Sequence, residues 1–305
     1  MKNVHKKRRD PVKITALVIL ALFTGLIILL IVSDLIYMAH WKVGPRKIWE
    51  ILSSPEVVSS FYLSLITSFL TLFYVLVTAV PIGYALSRTR FPGHTVVDTV
   101  VDVPIVLPPI VLGLSLLAFF GTDLGASVKE GLNSICEGFH FVFGFPLKIL
   151  QGTSVGDHLL EFWNNTEPGV DGILGIVMCQ YLVAVSYCIR AVKSAFEEVD
   201  RNVEDVALTL GCSRAGVFCR VTLPLARNGL VAGGVMAWAR AMGVFGPLMV
   251  FVGTGRRVQV LPTTMWLHLN IGNVESALVI SLMTMLIAAA AILLVHKLVP
   301  GRRWT

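Results

Sequence analysis

Glu204-Asp-Val-Ala-Leu-Thr-Leu-Gly211-Cys-Ser213-Arg-Ala-Gly-Val-Phe-Cys-Arg-Val-Thr-Leu223-Pro224, or EDVALTLGCSRAGVFCRVTLP, is polar and turn-bearing in a chain that is otherwise mostly apolar. Its residues read as two short helices joined at a glycine. Asn202 is the expected N-cap, with Glu204 and Asp205 in the first turn, facing the positive end of the helix dipole. Gly211 fits the position after a helix C-cap, where a left-handed backbone is needed. Ser213 can cap a second helix, which Pro224 is expected to end. Val206, Ala207, Leu210, Val217 and Phe218 are too many apolar side chains for so small a unit to bury, so a partner surface is implied.

The setting of this stretch is a membrane. The chain's 305 residues are 55% hydrophobic and 14% charged, whereas a soluble domain carries about 25% charged residues. Six apolar runs fall at residues 14–32, 61–86, 100–120, 173–191, 228–251 and 275–296, and a bilayer takes roughly 20 residues to cross. The first follows Lys6-Lys-Arg-Arg9 and is longer than the core of a secretory signal, so it is expected to be retained as a transmembrane helix. Pro81, Pro104, Pro108 and Pro109 lie in or beside the runs, and the cluster at 104–109 marks a bent start to the third helix. The net charge of +6 is distributed like a topology signal rather than a nucleic-acid footprint. With the N-terminus inside, 17 of the 25 Lys and Arg fall in inner segments and 7 in outer loops. Both termini and the opening stretch are therefore expected in the cytoplasm.

The long segment 121–172 should then lie outside, with Gly144–Leu150 able to rest on the membrane surface. Asn164-Asn165-Thr166 matches a glycosylation sequon too short to carry weight. The five cysteines form no CxxC and no Cys/His cluster and read as small apolar residues.

At the opening stretch the chain resembles the membrane subunit of type I ATP-binding-cassette importers. That family's signature runs Glu-Ala-Ala, three residues, Gly, nine residues, Ile-x-Leu-Pro; here it stands as Asp205-Val206-Ala207, three residues, Gly211, nine residues, Val221-Thr222-Leu223-Pro224. Val100–Gly113 resembles the start of the third helix in the molybdate, tungstate and sulfate permease subgroup. Ala239-Arg-Ala-Met-Gly-Val-Phe-Gly246 resembles its Ala-Arg-Ala-Leu-Gly-Glu-Phe-Gly, and Val260–Thr264 with Asn270–Ala277 resembles its last outer loop and the start of its sixth helix. The chain departs at Val244, where the subgroup has glutamate, and in the length of the 121–172 loop.

The resemblance implies an all-α polytopic fold with six transmembrane helices and a cytoplasmic coupling helix. It sets an N-terminal tail, first helix and outer loop at 1–56, a permease core at 57–298 with the coupling element at 197–224, and a tail at 299–305. It implies that Glu204, Asp205, Ala207, Leu208 and Gly211 dock a separate ATPase. Further partners are an external substrate-binding protein, a second permease subunit (a homodimer before a heterodimer) and membrane lipid, with no nucleic acid. No cofactor is expected on this chain, ATP and Mg belonging to the ATPase.

Other residues carry two readings each. Arg240 is the one basic residue well inside an apolar run, so it should face a bundle interior or water. There it either lends positive potential to an anion pathway or bonds backbone carbonyls. Pro108, Pro109, Gly113, Gly243 and Gly246 fit a gate in the translocation pathway, or close helix packing. His94, Asp98 and Asp102 share one helical face, which offers too few converging ligands for a metal and reads as a polar stripe. Glu197, Glu198 and Asp200 read as a solvated face.

No Walker A sequence, nucleophile elbow or HExxH occurs, so any ATP hydrolysis is expected on another chain, and the resemblance implies a transport subunit rather than an enzyme. The implied function is import of an oxyanion, molybdate or tungstate before sulfate. The alternatives are another importer cargo (ferric iron, thiamine or phosphonate) or an ion-coupled secondary transporter. The last would need more intramembrane ionisable groups and an internal repeat.

Overall fold

The structure is a computed structural model that describes residues 11–40, 44–134, 169–253 and 259–298. Among these residues it is all-α, with no strand. In chain order the elements are α1 (Pro11–His40), α2 (Pro45–Leu52), α3 (Pro55–Arg88), α4 (His94–Val106), α5 (Pro109–Phe120), α6 (residues 123–134), α7 (Ile173–Glu197), α8 (Arg201–Thr209) and α9 (Arg214–Val217). A π turn at Phe218–Thr222 leads into α10 (Leu223–Met242), followed by α11 (Gly246–Phe251), α12 (Leu261–Asn270) and α13 (Val274–Leu298). The proposed loop features at Gly144–Leu150 and Asn164–Thr166 lie outside the described residues.

The expected six spans become a different arrangement. Four helical stretches are long and apolar enough to cross a membrane: Thr15–Asp34, Pro55–Arg88, Ile173–Glu197 and Val274–Ala291. The run at 100–120 is two helices, α4 and α5, bent by 108°. Pro109 has no N–H to donate and disfavours helical geometry at Pro108, so the bend falls at this pair. The run at 228–251 is also divided. α10 starts earlier, at Leu223, and ends at Met242; α11 begins at Gly246. Arg227, Asn228, Arg240 and three glycines make α10 too polar to count as a span by composition.

α7 sits between α3 and α10, and its buried face sets the core. Val75, Ala79, Ala184, Cys188, Val192, Phe196, Ala237 and Ala241 form one buried cluster. Small residues bring the helices together. A β-carbon on Gly233 would sit 2.9 Å from Ala191 Cβ, and one on Gly229 would collide with Ala195. Lipid tails are as apolar as leucine, so close packing and polar ties hold such helices, rather than escape from water. α3 supplies the polar ties. Ser60, Ser64, Thr67, Ser68 and Thr71 recur on one face and are all buried. Thr71 Oγ1 donates to Gln180 Oε1 at 2.8 Å, and Gln180 Nε2 donates to Thr67 Oγ1 at 3.2 Å. Ser60 shares a 2.6 Å hydrogen bond with Thr264, and Ser64 accepts from the Leu261 N–H at 2.8 Å. The outward faces of α1 and α3 stay apolar and exposed, with Leu17, Phe23, Phe69 and Phe73 among them, as a surface in contact with lipid requires.

Candidate functional site

The coupling element is assembled from local caps. Asp200, not Asn202, is the N-cap of α8; its carboxylate accepts from the Asn202 N–H at 2.9 Å. With the acid two residues upstream as the cap, the helix starts at Arg201. At the other end Gly211 has φ +89°. Its N–H bonds Leu208 O at 3.0 Å, and the Cys212 N–H bonds Ala207 O at 3.1 Å. This crossed pair is the Schellman motif, which only a residue at ease with positive φ closes cheaply. Ser213 Oγ accepts from the Gly216 N–H at 3.1 Å and caps α9.

Pro224 does not end the second helix. α9 passes through the π turn into α10, with the Leu223 N–H bonded to Phe218 O, five residues back. Proline cannot donate to the carbonyl four residues before it, and its ring crowds that carbonyl. The wider turn ahead of Pro224 gives the ring room while the chain stays helical.

The structure turns Glu204 inward, away from the expected docking surface. It is the one buried residue of α8. Its Oε1 accepts from Arg88 Nε at 3.1 Å, Arg88 Nη2 at 2.8 Å and Thr222 Oγ1 at 2.9 Å. Arg88 Nη2 also donates to Val199 O, and Arg201 Nη2 donates to Ser87 O, both at 2.9 Å. Beside this, Tyr84 stacks edge-on against Phe196 and Phe218, with ring centroids 5.4 and 4.8 Å apart. The end of α3 is therefore locked to the coupling element by a charge pair and an aromatic cluster.

What α8 presents outward is apolar. Val203, Val206, Leu208 and Leu210 are exposed, Leu210 at 80%, with Asp205 and Gly211 exposed beside them and Ala207 half-buried. Val217 is buried, and Phe218 packs against the core. Of the cysteines, Cys179 and Cys188 are buried as small apolar residues, but Cys212 and Cys219 are exposed on this element.

The polar stripe on α4 faces α7 rather than water. Asp98 pairs with Lys193 at 2.9 Å and with Arg190 at 3.4 Å, and Asp102 pairs with Arg190. His94 Nε2 bonds Leu86 O at 3.0 Å. Glu197, read as solvated, is indeed exposed, 4.0 Å from Lys193.

The residues expected along a pathway separate into two groups. α5 and α11 approach so closely that a β-carbon on Gly113 would lie 2.6 Å from Pro247 Cα, and Gly246 lies against Ile110. For these two glycines packing explains the residue. Pro108 and Pro109 are exposed at the bend, and Gly243 is exposed at the C-cap of α10, where a β-carbon would make only ordinary contact with Ala239 O at 3.6 Å and Arg240 O at 3.9 Å. Arg240 is exposed on this chain, its guanidinium carbon 4.4 Å from the centroid of the Tyr187 ring. Among the described residues its contact is this cation–π one, and it is not buried. Val244 is buried in a cluster with Leu63, Leu112, Leu116 and Leu248, where a carboxylate would have no counter-charge.

A sequence profile for the binding-protein-dependent transport system inner membrane components matches residues 79–304. The chain belongs to that family. It is a multi-pass permease subunit of an ATP-binding-cassette importer, a transport protein and not an enzyme. It is 31% identical over 255 residues to a probable molybdenum ABC transporter permease of Haloferax volcanii, covering 84% of this chain and 80% of that one. It is 31% identical over 210 residues to a molybdate/tungstate transport system permease of Thermococcus kodakarensis, at 69% and 67% coverage. The sulfate transport system permease of Escherichia coli is 28% identical over 234 residues, at 76% and 72%. The crystal structure of a bacterial alginate ABC transporter, in complex with an alginate-bound periplasmic protein, shares the fold with a TM-score of 0.65. It is 14% identical and covers 94% of both chains.

For this permease, sequence reasoning missed Asp200, Arg88, Thr222 and Tyr84. Asp200 carried a signal, an acid followed at once by helix-forming residues. Arg88 and Thr222 carried none, because they meet Glu204 across 116 and 18 residues of chain.

Proposed function

We propose that this permease moves an oxyanion, molybdate or tungstate before sulfate, driven by an ATPase that docks on the outward face of α8. The observation that carries the reading is the apolar surface of Val203, Val206, Leu208 and Leu210, left exposed by a helix whose single buried residue is Glu204. A nine-residue helix that holds an apolar face outward is a poor candidate for free solvent exposure, and a good one for a partner's cleft. Asp205, Ala207 and the Gly211 turn lie beside that surface and complete the contact. Positive charge clusters on the same side of the chain, which supports a cytoplasmic position for α8 and both termini. A second copy of the permease and an external binding protein complete the transporter. The cargo is taken from the names of the relatives, permeases for molybdenum, molybdate/tungstate and sulfate. Pro108, Pro109, Gly243 and Arg240 are the pathway residues the geometry leaves accessible.

The test is reconstitution of the permease with its ATPase and binding protein in proteoliposomes. ATP-dependent accumulation of molybdate is expected, suppressed by excess tungstate and less by excess sulfate. Accumulation driven by an ion gradient without ATP would overturn the coupling, and an ATP-hydrolysing complex that accumulates none of molybdate, tungstate and sulfate would overturn the cargo.

A further inference from the structure

We infer that Glu204 is a positioning residue that delivers movement of α8 to α3 and α10 together, rather than a contact for the ATPase; this rests on the docking reading above. The covalent chain joins α8 to α7 through residues 198–200 and to α10 through α9 and the π turn. It does not join α8 to α3. That link is made by side chains, and Glu204 is its centre. One carboxylate oxygen gathers both Arg88 donors, at 3.1 and 2.8 Å, and the Thr222 hydroxyl at 2.9 Å. Arg88 is the last residue of α3, and Thr222 is the last residue of the π turn at the foot of α10.

Three features make this a mechanical joint rather than a surface ion pair. Glu204 is the one buried residue of α8, so it is the side chain of that helix set deepest in the bundle. Arg88, the last residue of α3, also donates through Nη2 to Val199 O in the α7–α8 connection, so one guanidinium ties both α8 and its lead-in to the end of α3. Thr222 closes the π turn, an irregularity found frequently at functional sites, so the joint meets the foot of α10 where its hydrogen-bond ladder departs from the α pattern. A buried charge pair is directional and costly to break from one side, which suits a link that must hold under load. Among the described residues, the other hydrogen bond between α8 and the α3 end is Arg201 Nη2 to Ser87 O, and it ends on a backbone carbonyl with no charge.

The test uses the complete transporter in phosphatidylethanolamine/phosphatidylglycerol vesicles, measuring ATP hydrolysis and molybdate uptake on the same preparation. Uptake per ATP is the readout, because a merely structural defect lowers the amount of active complex and leaves that ratio unchanged. Glu204→Gln, near-isosteric but uncharged, is expected to keep ATP hydrolysis and to lose uptake per ATP about tenfold, within the range of an ordinary coupling free energy. Thr222→Val keeps the ion pair and is expected to lose less. Should the glutamine variant not assemble, Thr222→Val decides: a lowered ratio supports the joint, an unchanged one overturns it. A wild-type complex that hydrolyses ATP, with unchanged ratios in both variants, overturns this inference alone. No ATP-hydrolysing complex with the wild-type chain overturns the docking reading and this inference with it.

Discussion

The two ends of α3 are fastened to the bundle by different chemistry. Toward Pro55 the ties are hydroxyls and an amide: Ser60 to Thr264, Ser64 to the Leu261 N–H, Thr67 and Thr71 to Gln180. Toward Arg88 they are charges: Arg88 to Glu204, with Asp98 and Asp102 nearby on Arg190 and Lys193. A hydroxyl can also bond its own helix, as Thr67 does to Leu63 O at 2.8 Å, so it enters an apolar bundle at little cost and stays satisfied if a partner shifts. A charge has no such refuge. It needs its partner, and it belongs where helices end and water is near. The hydroxyl end is suited to a fixed anchor, and the charged end to a joint between parts that must move as one.

That contrast holds only if the helix bundle between the two ends is stiff, and the harshest way to break it is to wedge the bundle open. Gly229→Leu places a side chain where even a β-carbon would strike Ala195. Overpacking of this kind costs about 1–3 kcal/mol and here displaces α10 from α7. The variant is expected to show the largest drop in thermal midpoint of the purified permease. Ala195→Gly in the same chain should recover part of it. No drop would mean that α7 and α10 are not in tight register and that the two ends of α3 are not mechanically connected.

How much of this was legible in the sequence divides along the same line. The caps at Gly211 and Ser213 were readable because they are local, with donor and acceptor within five residues. The bend at 104–109 was readable because proline is local too. Glu204 was misplaced for the converse reason. Its position in a docking motif suggested an outward role, and nothing within a helical turn of it reveals that Arg88, 116 residues away, holds it inward. The runs at 100–120 and 228–251 read as continuous helices because an apolar window does not register a 108° bend or the break after Met242. The α3 hydroxyl seam went unread although Ser60, Ser64, Thr67, Ser68 and Thr71 keep helical spacing. In a membrane helix such residues draw the eye less than prolines and charges.

A milder cut tests the hydroxyl end. Gln180→Leu removes the amide that Thr71 donates to and that donates to Thr67. Thr67 keeps its bond to Leu63 O, so one orphaned hydroxyl remains at most. Polar ties between membrane helices are worth about 0.6 kcal/mol on average and rarely more than about 1.7. A small fall in thermal midpoint is expected, well short of that of Gly229→Leu, with uptake per ATP unchanged. A loss in that ratio would show that the hydroxyl end also transmits movement and would erase the distinction between the two ends.

The smallest effect is expected from a charge pair that looks much like Arg88–Glu204 on paper. Lys129 Nζ lies 2.7 Å from Asp171 Oδ2, close to the 2.8 Å of Arg88 Nη2 and Glu204 Oε1. The side chains differ in exposure: 33% and 69% for Lys129 and Asp171, against 9% and 12% for Arg88 and Glu204. Water screens the first pair and competes for both partners, so such pairs contribute between roughly 0 and 1 kcal/mol. A second tie already holds the same place, since Asn133 Oδ1 accepts from the Val170 N–H at 2.9 Å. Asp171→Ala should therefore leave thermal midpoint and uptake per ATP within error of wild type, while Glu204→Gln does not. Equal losses in the two variants would mean that distance rather than burial sets the strength of an ion pair in this permease, and Glu204 would lose its claim to be special.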